Sequence, residues 1–185
     1  MAKILKFYNY DAALTHYKGQ IRHIRQAYTR SNKLKIVAKP VLLLAVMKAI
    51  DEGTITANHF SYDELEPRYN ELFSKYFIRA RQESRTPMHY PWYFMHHDGF
   101  WHLSWEGKES FETETPSAAM LHRNSSHAYF DDDLWTLVCN PDYRHQLMHF
   151  IIDEKIIAPL SASQQDMAAE GGPSLKSLLL MLIAM

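Results

Sequence analysis

The chain has only one cysteine, Cys139, among its 185 residues, and this scarcity excludes several classes of protein. Without a second thiol there is no disulfide framework, and cysteine-based zinc fingers and ribbons are excluded. Cys139 ends the apolar stretch LWTLVCNP, where we expect a buried and unreactive thiol. A reducing cytoplasm is the expected location.

Long apolar runs are also missing. The N-terminal stretch MAKILKFYNYDAALTHY never sustains one, so no signal peptide is expected. The C-terminal run LLLMLIAM is too short to cross a bilayer, and no membrane partner is predicted. A chain of this length, 46% hydrophobic and 22% charged, is typical of one globular domain. We predict a domain over residues 1–158 and a linker-like tail over residues 159–185.

The sequence contains no pattern that names a catalytic centre. GxSxG, P-loop and GxGxxG motifs are all absent. The stretch HYPWYFMHHDGFWHL, residues 89–103, holds four histidines, but it lacks the HExxH spacing of a zinc site. We therefore predict no metal and no cofactor. A small HNH-like or metal-dependent nuclease that uses this cluster is kept as an alternative.

The near-neutral net charge of −1 conceals a strong asymmetry. Residues 1–50 hold ten Lys or Arg against one acid, Asp11, which gives +9 and leaves −10 for the other 135 residues. Such a distribution indicates a basic face that meets a polyanion, most simply nucleic acid. The competing explanation is an ordinary solvated helix surface.

Hydrophobic periodicity predicts a mostly helical α+β domain. Helices are expected over about 11–28, from Pro40 to Gly53, over 63–81, and over 131–138 and 141–155. The aromatic segments on either side of HHDG predict a small β-hairpin around residues 92–105, with its turn at Asp98 and Gly99. Residues 122–130, HRNSSHAYF, are expected to form a loop.

Two basic segments are candidates for phosphate contacts. Lys39 precedes Pro40 at a helix start, where unpaired N–H groups favour anions. The alternative is that Pro40 only begins a core helix. The segment around Arg123 offers one cation and several small donors, although a capped helix end is an equal alternative. The predicted DNA-binding residues are Arg22, Arg25, Lys33, Lys35, Lys39, His122, Arg123, Ser125 and Ser126.

Three segments taken in order resemble one known family. They are KPVLLLAVMKAIDEG, YPWYFMHHDGFWHL and NPDYRHQLMHFIIDEKI, within about residues 10–156. The family is the DNA sulfur-binding domain of bacterial type IV, modification-dependent restriction endonucleases, in which an HNH nuclease domain usually follows. Its members bind double-stranded DNA in which a non-bridging phosphate oxygen is replaced by sulfur.

The resemblance implies a sulfur pocket in which Tyr90 and Pro91 supply two apolar faces and Lys39 faces the same phosphate. Phe94 stands where the family tends to have a small residue, and we place it at the same pocket. The expected activity is binding without cleavage, with a nuclease domain or another protein of the same system as partner. A protein-interaction module of a bacterial defence system is the remaining alternative.

Overall fold

The computed structural model describes residues 6–7, 9–31, 33–107 and 109–159, without the side chains of Arg79 and Ser126. Seven α-helices and two strands are found in these ranges. In chain order the elements are α1 (Tyr10–Arg22), α2 (Ala38–Asp51), α3 (Tyr62–Arg79), α4 (His89–Phe94), β1 (Trp101–Trp105), α5 (Ala118–Asn124), β2 (Ser125–Phe130), α6 (Asp132–Cys139) and α7 (Pro141–Ile151). A 3₁₀ helix (Met95–Asp98) follows α4, and a π-helical segment (Ile152–Ile157) follows α7.

Helix α2 forms the centre of the core. Every residue from Val41 to Met47 is buried, so the helix has no wet face along this length. It packs against α3, α4, α6 and α7. Pro40 is tolerated because it lies in the first turn, where the backbone N–H groups have no partner within the helix. The sequence predicted this helix correctly, although it begins two residues before Pro40.

The predicted hairpin over residues 92–105 is wrong, although the mostly helical α+β class is confirmed. Residues 89–98 are helical, and Gly99 ends the 3₁₀ helix with a φ of +85°, which glycine adopts readily. Only residues 101–105 form a strand, and β1 pairs with β2 in an antiparallel sheet. The helix prevails because Pro91 fits its first turn and because Trp92 and Met95 then point into the core.

Two further local predictions need correction. Residues 122–130, which were expected to form a loop, contain the end of α5 and the whole of β2. Ala128 of β2 also makes two backbone hydrogen bonds with Phe60. Cys139 is exposed rather than buried. Partial desolvation still raises the pKa of its thiol, which keeps the unreactive, protonated form.

Helix α1 ends at Arg22, six residues before its predicted end. The carbonyl oxygens of Arg22 and Ile24 accept hydrogen bonds from Lys155 Nζ, at 2.9 and 3.3 Å, instead of continuing the helix. The chain then makes a narrow antiparallel turn, which we call the basic hairpin (residues 27–31 and 33–36). Tyr28 pairs with Lys35 across it.

One hydrophobic cluster includes residues from every element, from α1 to the π-helical segment. Residues 160–185 lie outside the described residues, so the boundary at 158 and the linker-like tail remain predictions. In the part of the chain with described structure, no helix is long and apolar enough to cross a membrane.

Candidate nucleic-acid interface

An open apolar cavity of about 480 Å³ lies between the start of α2 and helix α4. Residues 25–27 and Ile36 border one side, and Ala38 and Lys39 come from the first turn of α2. Thr86 and α4 complete the wall. The structure thus brings together the four residues predicted for a sulfur pocket, namely Lys39, Tyr90, Pro91 and Phe94.

Helix α4 supplies the aromatic wall of the cavity. Tyr90 and Phe94 lie one turn apart, and their rings are nearly parallel at a centroid distance of 6.5 Å. Pro91 is buried beside them, and His97 extends the same face with its ring 6.3 Å from that of Phe94. Tyr90 keeps 40% of its surface exposed. Phe94 is one of the residues that line the open cavity.

Lys39 is held in a buried ion pair. Its Nζ lies 2.6 Å from Asp98 Oδ2 and donates a second bond to the Phe94 carbonyl at 2.9 Å. The two side chains are only 11% and 4% exposed. Burial lowers the pKa of the Lys39 ammonium, and Asp98 opposes that shift. Asp98 also accepts a bond from the Arg25 backbone N–H, so this carboxylate joins three segments around the cavity.

Exposed cations lie beside the apolar wall. Arg25 is exposed and lines the cavity. The basic hairpin continues from the same side, since Ala27 and Ile36, its two ends, also line the cavity. Lys33 is exposed near its tip, with a φ of +55°, and Lys35 is half-buried on the returning strand. The cavity thus has an apolar floor and a cationic margin on one side.

The other predicted DNA-binding residues lie away from this cavity. Arg22 pairs with Glu154 at 3.4 Å. On α5, His122 lies 3.6 Å from Asp63, and Arg123 pairs with Glu109 at 2.8 Å.

Two predicted serines are at the start of β2. Ser125 Oγ donates to the His127 carbonyl at 3.3 Å. Ser126 belongs to the same strand, but its side chain lies outside the described residues.

Sequence reasoning missed several of the lining residues, namely Gln26, Ala27, Ile36, Ala38, Thr86 and His97. A helical interpretation of residues 89–98 would have found His97, because positions 90, 94 and 97 share one helix face. Thr86 and Ile36 carry no such local signal, since only the tertiary fold brings them to α4.

The four histidines of residues 89–103 do not form one cluster. His102 Nε2 lies 2.6 Å from Asp131, and His89 packs against Tyr90. His96 and His97, however, come together with Glu112, and one ligand atom from each lies within 4.8 Å of the others. The sequence did not predict this group because Glu112 is fifteen residues beyond His97.

Comparison with known proteins identifies a fold. No family model matches the chain, and no curated protein matches it at a significant level. Among solved structures it is similar to a sulfur-binding domain, that of SprMcrA, solved in complex with phosphorothioated DNA. The match covers 83% of this chain and 91% of the other, with a TM-score of 0.59 and 14% identity. The chain therefore has the fold of that domain, and the resemblance seen in the sequence is confirmed at the level of fold.

Proposed function

We propose that this chain binds double-stranded DNA carrying a phosphorothioate linkage, with the sulfur in the apolar cavity beside Tyr90, Pro91 and Phe94. One observation carries the proposal: an apolar cavity with a cationic margin, on the fold of a domain solved with such DNA. The cytoplasm is the proposed location, and a nuclease domain or another protein of the same system is the proposed partner.

The physical chemistry of sulfur supports this assignment. A phosphorothioate sulfur is larger and more weakly hydrated than oxygen, so it loses less hydration when it enters an apolar cavity. An unmodified phosphate oxygen that entered the cavity would lose its hydrogen bonds to water and gain none in return. The rest of the phosphate stays anionic and needs charge-assisted contacts at the margin.

Arg25 is the cation best placed to supply those contacts. Its side chain is exposed at the cavity, whereas the Lys39 ammonium is already bound to Asp98 and Phe94. We keep Lys39 in the site, chiefly as a positioning residue that fixes α4 and the 3₁₀ helix against α2. Lys33 and Lys35 would contact neighbouring phosphates.

The residues away from the cavity are proposed as further backbone contacts. For Arg123 such a contact requires that its exposed ion pair with Glu109 opens, which costs little at the surface. The other members of this second group are Arg22, His122, Ser125 and Ser126.

A fluorescence-anisotropy titration at about 150 mM salt tests the function. One short duplex with a single phosphorothioate is compared with the same unmodified duplex. We expect at least a tenfold preference for the modified duplex, about 1.4 kcal/mol, and no strand cleavage. Equal affinities would reject sulfur recognition and leave a general DNA-binding surface. No binding to either duplex would favour a protein-interaction module, and a metal-dependent cut abolished by His97→Ala would favour the nuclease alternative.

A further inference from the structure

We propose that His96, His97 and Glu112 form a binding site for a divalent transition-metal ion, with Zn²⁺ and Co²⁺ as probes. Two imidazoles and a carboxylate are a common ligand set for such ions. Their ligand atoms lie within 4.8 Å of one another. Ligands of a tetrahedral zinc ion are separated by about 3.4 Å, given bonds of about 2.0–2.1 Å. Since His97 and Glu112 are exposed, small side-chain rotations can close this gap.

His96 has one ring nitrogen atom that is free to bind a metal ion. Its Nδ1 lies 2.6 Å from the Tyr93 carbonyl oxygen, which can only accept, so Nδ1 carries the proton. The Nε2 atom then has a lone pair, and within the described part of the chain it is buried without a hydrogen-bond partner. This arrangement, with one nitrogen fixed by a carbonyl and the other available, is the usual one for a metal-ligating histidine.

Glu112 is positioned by the same tyrosine. The Tyr93 hydroxyl donates to the Phe111 carbonyl and accepts a bond from the Thr113 N–H at 3.0 Å. These two bonds hold the peptide groups on either side of Glu112. The Phe111 ring packs edge-on against His96, with centroids 4.7 Å apart. Tyr93, which is fully buried, therefore fixes two of the three ligands through its carbonyl and its hydroxyl.

His97 links the site to the apolar cavity. Its ring lies 3.8 Å from that of His96 and also lines the cavity wall beside Phe94. A contact between the two tilted rings would account for the pair of histidines, but not for a buried Nε2 without a partner or for the carboxylate beside it. Three protein ligands leave a fourth position for water or an exogenous anion. A bound ion would hold His97, and with it this side of the cavity, in one orientation.

Metal titration of the tag-free, chelator-treated chain tests the site without DNA, so its outcome is independent of the proposed function. We expect one Co²⁺ per chain, with visible absorption bands that Zn²⁺ displaces. His97→Ala and Glu112→Gln should each weaken Zn²⁺ binding at least tenfold. Tyr93→Phe should weaken it several-fold, because the ring stays while the hydroxyl that holds residues 111–113 is lost.

The control is His59→Ala. His59 is exposed and stacks on His127 at 3.9 Å, so this pair is a second place where two imidazoles meet. Unchanged affinity in this variant supports the assignment. The proposal is overturned if Zn²⁺ binds more weakly than about 1 mM, if His97→Ala binds as tightly as the parent, or if His59→Ala abolishes binding. Circular dichroism confirms that each variant is folded.

Discussion

Replacement of Tyr90 is the most specific test of the proposed sulfur contact. Its ring forms one exposed edge of the cavity and stacks on Phe94. Tyr90→Ala should reduce the preference for the phosphorothioate duplex by about 1–2 kcal/mol, because the sulfur loses an apolar face. Affinity for unmodified DNA should change much less, since the backbone contacts remain. Anisotropy titrations of both duplexes measure the two effects.

Tyr10→Ala is a matched control for that change. Tyr10 is also 40% exposed, but it stacks on Tyr143 at 5.0 Å and does not line the cavity. Its replacement should leave the preference for the modified duplex unchanged. Equal losses for the two duplexes in Tyr90→Ala would contradict the assignment of the aromatic wall.

Asp98 carries a second prediction at the scale of one residue. Asp98→Asn removes the charge that pairs with Lys39, and the lysine is then left buried without a counter-ion. Breaking one partner of a buried ion pair costs about 3–5 kcal/mol. We expect the free energy of unfolding, measured by urea denaturation, to fall by about this amount.

The control for the buried pair is a surface pair. Lys75 and Glu71 are one turn apart on α3 and both exposed, so Glu71→Gln should change the unfolding free energy by less than about 1 kcal/mol. Similar losses in the two variants would mean that Asp98 is not a buried partner. Replacing Lys39 and Asp98 together by apolar residues should recover much of the stability, because no unpaired charge remains.

At the scale of elements, the sequence correctly predicted those helices that depend mainly on contacts between residues close together in the chain. The α2 core helix follows from a continuous motif, whereas the grouping of Tyr90, Pro91 and Lys39 around one site was implied by the family resemblance. The strand that pairs with β1 was predicted wrongly, because aromatic residues on both sides of HHDG resemble the two strands of a hairpin. The strand that does pair with β1 is β2, which begins twenty residues after β1 ends. The early end of α1 was equally hidden, since it depends on Lys155, 133 residues from Arg22.

The π-helical segment after α7 gives a prediction on pH. Lys155 is almost fully buried, and desolvation lowers its pKa from 10.5 to about 8. Below pH 8 Lys155 is protonated in both the folded and the unfolded chain, so folding carries the full free-energy cost of burying its charge. Between pH 8 and 10.5 only the unfolded chain holds it, so stability rises with pH. From pH 7 to pH 10 this contribution amounts to about 2 kcal/mol.

Lys155→Met isolates this contribution. We expect the difference in unfolding free energy, variant minus parent, to fall by about 2 kcal/mol as the pH rises from 7 to 10. The bonds lost to the Arg22 and Ile24 carbonyls shift both ends of the curve equally. Contributions from ionisable groups that do not interact with Lys155 are present in both proteins and cancel. A difference that stays constant with pH would show that the Lys155 pKa is near its usual value.

At the scale of the whole molecule, the charge asymmetry of the sequence becomes a spatial one at the cavity. The basic hairpin places Arg30, Lys33 and Lys35 on the segment that begins and ends at the cavity wall. If each neutralises one phosphate, replacing all three by alanine should lower the slope of log K against log salt by about 2–3. The preference for the modified duplex should survive, because the sulfur contact is apolar and responds little to salt. Lys75→Ala on α3 is the control and should leave the slope unchanged. If the triple variant keeps the parent's slope, the DNA backbone must bind to another face of the molecule.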